Sequence, residues 1–230
     1  MIGEKIIRFD IIDSTNIYAI ENYERLHDGD VIVAKEQNNG KGRQGRSWHS
    51  PKGGLWFSIV FKPRKMKDMN FYTKLASVSL YEFLEKIGIK STIKWPNDIL
   101  YKGKKLAGIL TEGIYEGAVP KVIVVGVGLN VNNDIPEELS DIATSIKEIK
   151  KEKINVDYVL KKTLAIMNKN RKKYSSRPNA LTRVWKNRLD IKEGDEITYN
   201  GEICKIKEIK QDKLVLVCNE KITIVPDIHR

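Results

Sequence analysis

Only two cysteines and three histidines occur among the 230 residues, and that scarcity removes whole classes of chemistry. Cys204 and Cys218 both fall in the last quarter, outside Cys-x-x-Cys spacing. This argues against a disulfide framework and a zinc site. His27, His49 and His229 are scattered, with no second ligand at metal-binding spacing. No Ser-His-Asp or Cys-His set stands out, and no spaced pair of carboxylates. Apolar runs fall well short of the roughly 20 residues that span a bilayer, and Met1–Lys5 lacks a signal-peptide pattern. A cytoplasmic location without membrane attachment is expected. There is no internal repeat.

Positive charge is abundant. Lys and Arg outnumber Asp and Glu by 41 to 30, a formal charge of +11. That makes nucleic acid the first partner to test. Much of the excess sits in runs such as Lys147–Lys153 and Arg171–Lys173, which read as solvated faces. Anionic substrates or an acidic protein partner would use the same field.

At 41% hydrophobic, the chain can bury one large domain, or one large and one small. Ile6–Phe9, Val31–Lys35, Leu55–Lys62 and Val119–Val131 read as strands, and residues 99–111 as a hairpin turning at Lys102-Gly103-Lys104. Residues 70–87 keep helical spacing through Phe71, Leu75, Val78, Tyr81 and Leu84, with Gly88 as a C-terminal cap. Helices are expected over 156–174 and 178–188. Beyond Asp190 the pattern changes to short strands with a hairpin turn at Asn200-Gly201. This places a main domain at 1–188 and a small strand-built barrel at 189–230, packed on the first.

The most informative segment is residues 38–49, which set Gly40, Gly42 and Gly45 at G-x-G-x-x-G spacing and thread Lys41, Arg43 and Arg46 between them. Glycines let backbone N–H groups approach a ligand, and interleaved cations suit phosphate or carboxylate. A dinucleotide fingerprint would open a helix inside this spacing. Here Pro51 and Gly53-Gly54 follow instead. No Walker A loop is present.

Three further segments offer polar equipment where strands end. Asp13-Ser14-Thr15-Asn16 reads as a helix N-cap that exposes hydroxyls and an amide. Lys94-Trp95-Pro96-Asn97-Asp98 joins an apolar base to Asn97 and Asp98, with Asp98 able to serve a magnesium–phosphate complex. Lys105–Leu110 supplies a cation and Gly108, while Gly126–Asn130 ends a buried strand with glycines and the Asn130 amide. Cations, glycine backbone and amides suit electrostatic stabilisation of phosphoryl or nucleotidyl transfer.

In their order and separations, Asp13–Asn16, Gln37 with Gly40–Trp48, Lys94–Asp98, Lys105–Leu110 and Gly126–Asn130 resemble the signature motifs of biotin protein ligases. The resemblance implies an α+β fold, with a central mixed sheet, flanking helices and a small C-terminal SH3-like β-barrel. It also implies a two-step reaction: biotin and ATP give biotinyl-5'-AMP and pyrophosphate, and the biotinyl group then passes to a lysine of a biotin carboxyl carrier domain. By the family pattern Ser14, Thr15, Asn16, Gln37, Gly40 and Gly108 would form the biotin pocket. Arg43, Lys41 and Lys105 would carry the charge of the reacting centre. Gly42, Arg46, Trp48, Asn97, Asp98 and Asn130 would serve ATP or the adenylate, with Mg2+ near Asp98.

The resemblance also implies a glycine loop that is mobile when empty and closes over the intermediate, and a homodimer. Lys41 departs from the arginine usual at its position, keeping the charge but not the bidentate fork. Only about a dozen residues precede the first motif, so a ligase without a DNA-binding module, and without operator binding, is expected. A lipoate-type ligase shares the fold and the adenylate chemistry. A basic nucleic-acid-binding module is the reading from another class, although the tail offers a single aromatic, Tyr199, for stacking.

Overall fold

Apolar runs of strand length lay out the larger layer. The computed structural model describes residues 1–63 and 69–226; His229 lies outside them. Seven strands form one sheet: β1 (Ile6–Ile12), β2 (Val31–Gln37), β3 (Leu55–Phe61), β4 (Thr92–Lys94), β5 (Asp98–Tyr101), β6 (Lys104–Glu116) and β7 (Val119–Leu129). Their order is β1-β2-β3-β7-β6-β5-β4. β1 and β2 run parallel and the remaining neighbours antiparallel, so the sheet is mixed.

β3 is buried along its whole length because both sheet faces are covered. Phe57, Ile59 and Phe61 join the main core beneath α2 (Met69–Lys86), α4 (Val156–Tyr174) and α5 (Pro178–Lys186). Val60, Val122 and Val124 face the other way, into a smaller cluster with Ala19 of α1 (Thr15–Glu21). The two-residue period of a strand produces this split. α2 ends as its sequence suggests: Gly88 takes φ +79°, its N–H bonds Glu85 O, and Ile89 N–H bonds Leu84 O. Those two bonds satisfy carbonyls that the helix end would leave open. α3 (Ile146–Lys150) begins at a reciprocal cap between Ser145 and Glu148.

Register places the site. One row across the sheet runs Lys94–Asp98–Gly108–Gly128–Trp56–Ala34. The adjacent row on the same face runs Leu110–Gly126–Ser58–Ile32. Motifs far apart in sequence thus meet on one face because their strands are neighbours.

The tail folds into β8 (Glu196–Tyr199), β9 (Glu202–Ile209), β10 (Leu214–Cys218) and β11 (Lys221–Val225), in the order β11-β10-β9-β8. The barrel expected here is corrected to an open antiparallel sheet. Its inner residues Cys204, Ile206, Leu214, Leu216 and Val225 belong to the main core cluster. The larger layer covers that face, so four short strands have no need to close on themselves. Asn200 and Gly201 take φ +50° and +82°, the hairpin turn their pairing suggests. Upstream, Ile93 exchanges backbone hydrogen bonds with Arg188 and Asp190, which covers the edge of β4.

Cys204 and Cys218 face each other across β9 and β10 and form a disulfide, their Cα atoms 4.4 Å apart. Two cysteines without framework spacing gave no sign of this; strand register brings them together. A loop of this size contributes about 3 kcal/mol by restricting the unfolded chain. Calorimetry with dithiothreitol is expected to lower the unfolding midpoint by several degrees, and Cys204→Ser should reproduce the loss. No helix among the described residues is long and apolar enough to cross a membrane.

Candidate active site

The segment between β2 and β3 folds back on itself. Gln37 N–H bonds Ser50 O, Trp48 N–H bonds Gly40 O, and Gly42 N–H bonds Arg46 O. Lys41 and Ser47 pair as an isolated bridge, and residues 43–45 make one tight turn at the tip, where Gly45 takes φ +74°. Gly40 is required by crowding: a Cβ there would lie 2.4 Å from Trp48 O. The loop is thus a hairpin tied by backbone bonds at its base.

Its indole rests on the sheet. A Cβ on Gly128 would come within 2.4 Å of Trp48 Nε1, and one on Gly108 within 2.9 Å of the same ring. The two glycines make a flat floor that seats Trp48. Lys105 Nζ lies 4.9 Å from the ring centre, and Trp56 meets it edge-on at 6.5 Å.

A cavity of about 200 Å³ opens beside this floor and brings together most of the residues singled out from sequence. Ser14, Thr15, Asn16 and Gln37 line one end; Lys41, Gly42, Arg43, Arg46 and Trp48 come from the hairpin; Asn97, Asp98, Lys105 and Gly108 come from β5, β6 and the turn before them. Lys94 lines it too. Among the described residues, Asp98 is the single carboxylate on this wall, against the cations Lys41, Arg43, Arg46, Lys94 and Lys105. Such a surplus favours a ligand with several negative charges.

Local contacts fix these groups. Lys105 Nζ pairs with Asp98 Oδ2 at 2.7 Å. Asn97 Nδ2 donates to Ile109 O at 2.6 Å, while its Oδ1 receives Arg43 at 3.4 Å. Ser14 does cap α1, accepting from Ile17 N–H, and lines the cavity as well. Thr15 N–H donates to Gln37 Oε1 at 2.8 Å.

Two residues lie apart from the wall. Gly40 shapes the base of the hairpin. Asn130, expected to meet adenine, is engaged with neighbouring loops: its Nδ2 donates to Thr144 O, its Oδ1 accepts from Asn133, and its backbone bonds Leu106 and Ile146. A strand end beside a loop looks like a ligand edge in sequence; here the polar loop from Asn132 to Ser145 consumes its groups.

Other contributors carried less signal. Trp95 Nε1 donates to Lys210 O, and Gln211 Nε2 to Pro96 O, each at 2.5 Å. The small sheet therefore props the cis Trp95–Pro96 turn that presents Asn97 and Asp98. Nothing near Gln211 in sequence suggests this. Ser58 is fully buried under the cavity beside Thr15 and Asn16. One polar residue inside Leu-Trp-Phe-Ser-Ile-Val-Phe was a usable sign, because buried hydroxyls need partners.

The profile of the biotin/lipoate A/B protein ligase family matches residues 8–130 of this chain. The chain belongs to that family. It is 38% identical over 181 residues to the bifunctional ligase/repressor BirA of Bacillus subtilis, a match covering 76% of this chain and 56% of that protein. It is 34% identical over 126 residues to the biotin--[acetyl-CoA-carboxylase] ligase of Paracoccus denitrificans, covering 52% of this chain and 51% of that one. The chain thus spans about half the length of these curated relatives. Among solved structures, the biotin protein ligase of Aquifex aeolicus in complex with biotin and ATP superposes with a TM-score of 0.81 at 28% identity. That match covers 97% of this chain and 96% of the other. The family's fold accordingly extends over both sheets.

Proposed function

We propose that the chain is a biotin protein ligase. It joins biotin to ATP as biotinyl-5'-AMP with release of pyrophosphate, then transfers the biotinyl group to a lysine of a biotin carboxyl carrier domain and releases AMP. The observation that carries this reading is one cavity with two unlike ends: neutral amide and hydroxyl groups at Thr15, Asn16 and Gln37, and five cations around Asp98. The first end suits an uncharged polar ring. The second suits a carboxylate meeting a triphosphate, where anion repulsion must be neutralised.

In this mechanism Ser14, Thr15, Asn16 and Gln37 hold the head group over Gly108. Arg43 and Lys41 bring the biotin carboxylate to the α-phosphate, and Lys105 stabilises charge on the atoms between them. Gly42, Arg46, Asn97 and Asp98 bind the nucleotide. Trp48 leaves the floor and closes over the adenine, excluding water from the mixed anhydride. Gly40 and Asn130 support the loops from outside. One carboxylate with many phosphate oxygens fits a magnesium ion carried by ATP, which would supply charge neutralisation with Asp98 as its protein ligand.

The reading divides the chain into a catalytic domain, 1–188, and a small domain, 189–230, and sets it in the cytoplasm. A homodimer formed through the sheet is part of it, supported by β1 lying at a sheet end with Ile11 half exposed. The test is ATP–pyrophosphate exchange with Mg2+ and either biotin or lipoate, followed by transfer of labelled biotin to a carrier domain. Exchange driven by biotin alone supports the reading. Exchange driven by lipoate, or salt-sensitive nucleic-acid binding without exchange, would replace it. Gln211→Ala, which releases the Trp95–Pro96 prop, is expected to raise KM for ATP about fivefold, the loss of one hydrogen bond, with KM for biotin unchanged.

A further inference from the structure

The tip of one hairpin carries both contacts that prop the nucleotide end of the cavity. β9 and β10 turn through residues 210–213, where Lys210 N–H donates to Lys213 O. Lys210 O accepts from the Trp95 indole, and the Gln211 amide donates to Pro96 O. Trp95 and Gln211 are 5% and 6% exposed, so the tip is wedged under the turn rather than laid against it. On its far side the turn is held by β6: Ile109 N–H donates to Asn97 O, and Asn97 Nδ2 to Ile109 O. Asn97 and Asp98 thus sit between a strand of the large sheet and a tip of the small one. The neutral end of the cavity, by contrast, draws Thr15 and Asn16 from α1 and Gln37 from β2.

The ladder that delivers this tip is interrupted. Ile209–Leu214 and Glu208–Val215 pair next to the tip, Ile206–Leu216 and Lys205–Val217 pair farther out, and Lys207 between them is left over as a bulge. A bulge disrupts the ladder locally and bends the strand. The Cys204–Cys218 bond closes the hairpin at its far end, just past the outer pairs. While it is closed, the two strands can neither part nor slip in register. Once it is open that restriction is gone, and the tip leaves its seat more often.

The bond is also reachable. Cys204 is fully buried, but Cys218 ends β10 next to the exposed residues Asn219 and Glu220. A thiolate of a small dithiol attacks Cys218 Sγ, the S–S bond breaks, and Cys204 Sγ leaves with the electron pair. The second thiolate of the reductant then attacks the mixed disulfide, frees Cys218 and closes the reductant into a ring. The two protons of the dithiol end on the two cysteines, and Glu202 O, 3.8 Å from Cys204 Sγ, is in place to accept from that thiol.

We propose that the Cys204–Cys218 pair is a redox-responsive site that sets nucleotide affinity: closed, it keeps the hairpin tip under the Trp95–Pro96 turn; opened by a dithiol, it weakens ATP binding and leaves biotin binding as it was. The proposal takes its kinetic readout from the ligase reading above.

The experiment compares the full chain, oxidised and reduced by dithiothreitol, at a temperature below both unfolding midpoints. In biotin-driven pyrophosphate exchange, reduction should raise KM for ATP about fivefold, as loss of the Gln211 hydrogen bond would, with KM for biotin unchanged. Reoxidation should restore it. The double variant Cys204→Ser, Cys218→Ser should show the raised KM with or without dithiothreitol, and Gln211→Ala should start high and rise no further. Amide hydrogen exchange should quicken on reduction at Lys210 and Ile109, while β2 keeps its rates. An equal KM for ATP in both redox states overturns the proposal and leaves the ligase reading standing. A parallel rise of both KM values, which marks general loosening, overturns it too, as do two free thiols in the oxidised chain by mass spectrometry. If the wild type shows no biotin-driven exchange, the ligase reading falls, and the exchange rates at Lys210 and Ile109 decide the redox coupling by themselves.

Discussion

Lys105→Ala is expected to slow biotinyl-adenylate formation by a factor of about 100 to 1,000, the usual cost of removing one preorganised donor from a reacting centre. Lys105 reaches the cavity between Asp98 at 2.7 Å and the Trp48 ring at 4.9 Å. Its ammonium is thus held in place before substrate arrives, and little ordering remains for the reaction step. Alanine also leaves Asp98 facing incoming phosphates without its counter-ion, so binding and chemistry both suffer. Rapid-quench measurement of the first turnover decides the matter. A Lys105→Ala rate above one tenth of wild type would remove Lys105 from the reacting centre.

Gly126→Ala should lose biotin binding and stability together. Its Cβ would fall 2.2 Å from Asn16 Oδ1 and 2.8 Å from Asn16 Cγ. Gly126 is paired with Ser58 on one side and Leu110 on the other, so the strand cannot retreat. The amide must leave, and with it the link from Ser58 to Glu112. Overpacking of this kind costs about 1–3 kcal/mol, which is several degrees in the midpoint for a domain of this size. Gly128→Ala supplies the contrast. Its Cβ meets Trp48 Nε1 at 2.4 Å, but that ring belongs to a loop that can swing away. The midpoint should stay within about a degree while loop closure changes. Calorimetry beside biotin titration separates the two; a stable, biotin-binding Gly126→Ala would show that Asn16 has another resting place.

Much of this architecture was legible because it depends on local pattern. The apolar, β-branched runs of β2, β3 and β7, the helical spacing of α2 with its Gly88 cap and the Asn200-Gly201 turn follow from side-chain pattern and backbone preference. The motif residues were legible for another reason: glycines, cations and amides are conspicuous where strands end. What was hidden depends on register and on contacts between distant segments. The Cys204–Cys218 pair exists because β9 and β10 align, and the open tail sheet because the main core covers its inner face. Gln211 reaches Pro96 across 115 positions, and Asn16 reaches Glu112 across 96. The loop contacts of Asn130 were hidden too, because a single amide reads alike whether it faces a ligand or a loop.

The seat of Trp48 has a spectroscopic consequence. Trp56, Trp95 and Trp185 are at most 5% exposed and belong to the sheet, the β4–β5 turn and α5. Trp48 alone rides on the cationic hairpin, with an ammonium against its ring. Any movement of the hairpin carries that indole away from Lys105, off the glycine floor and out of its edge-on contact with Trp56, changing the emission of that pair while Trp95 and Trp185 stay constant. The chain thus contains its own optical gauge, and stopped-flow fluorescence can time each opening and closing without a label.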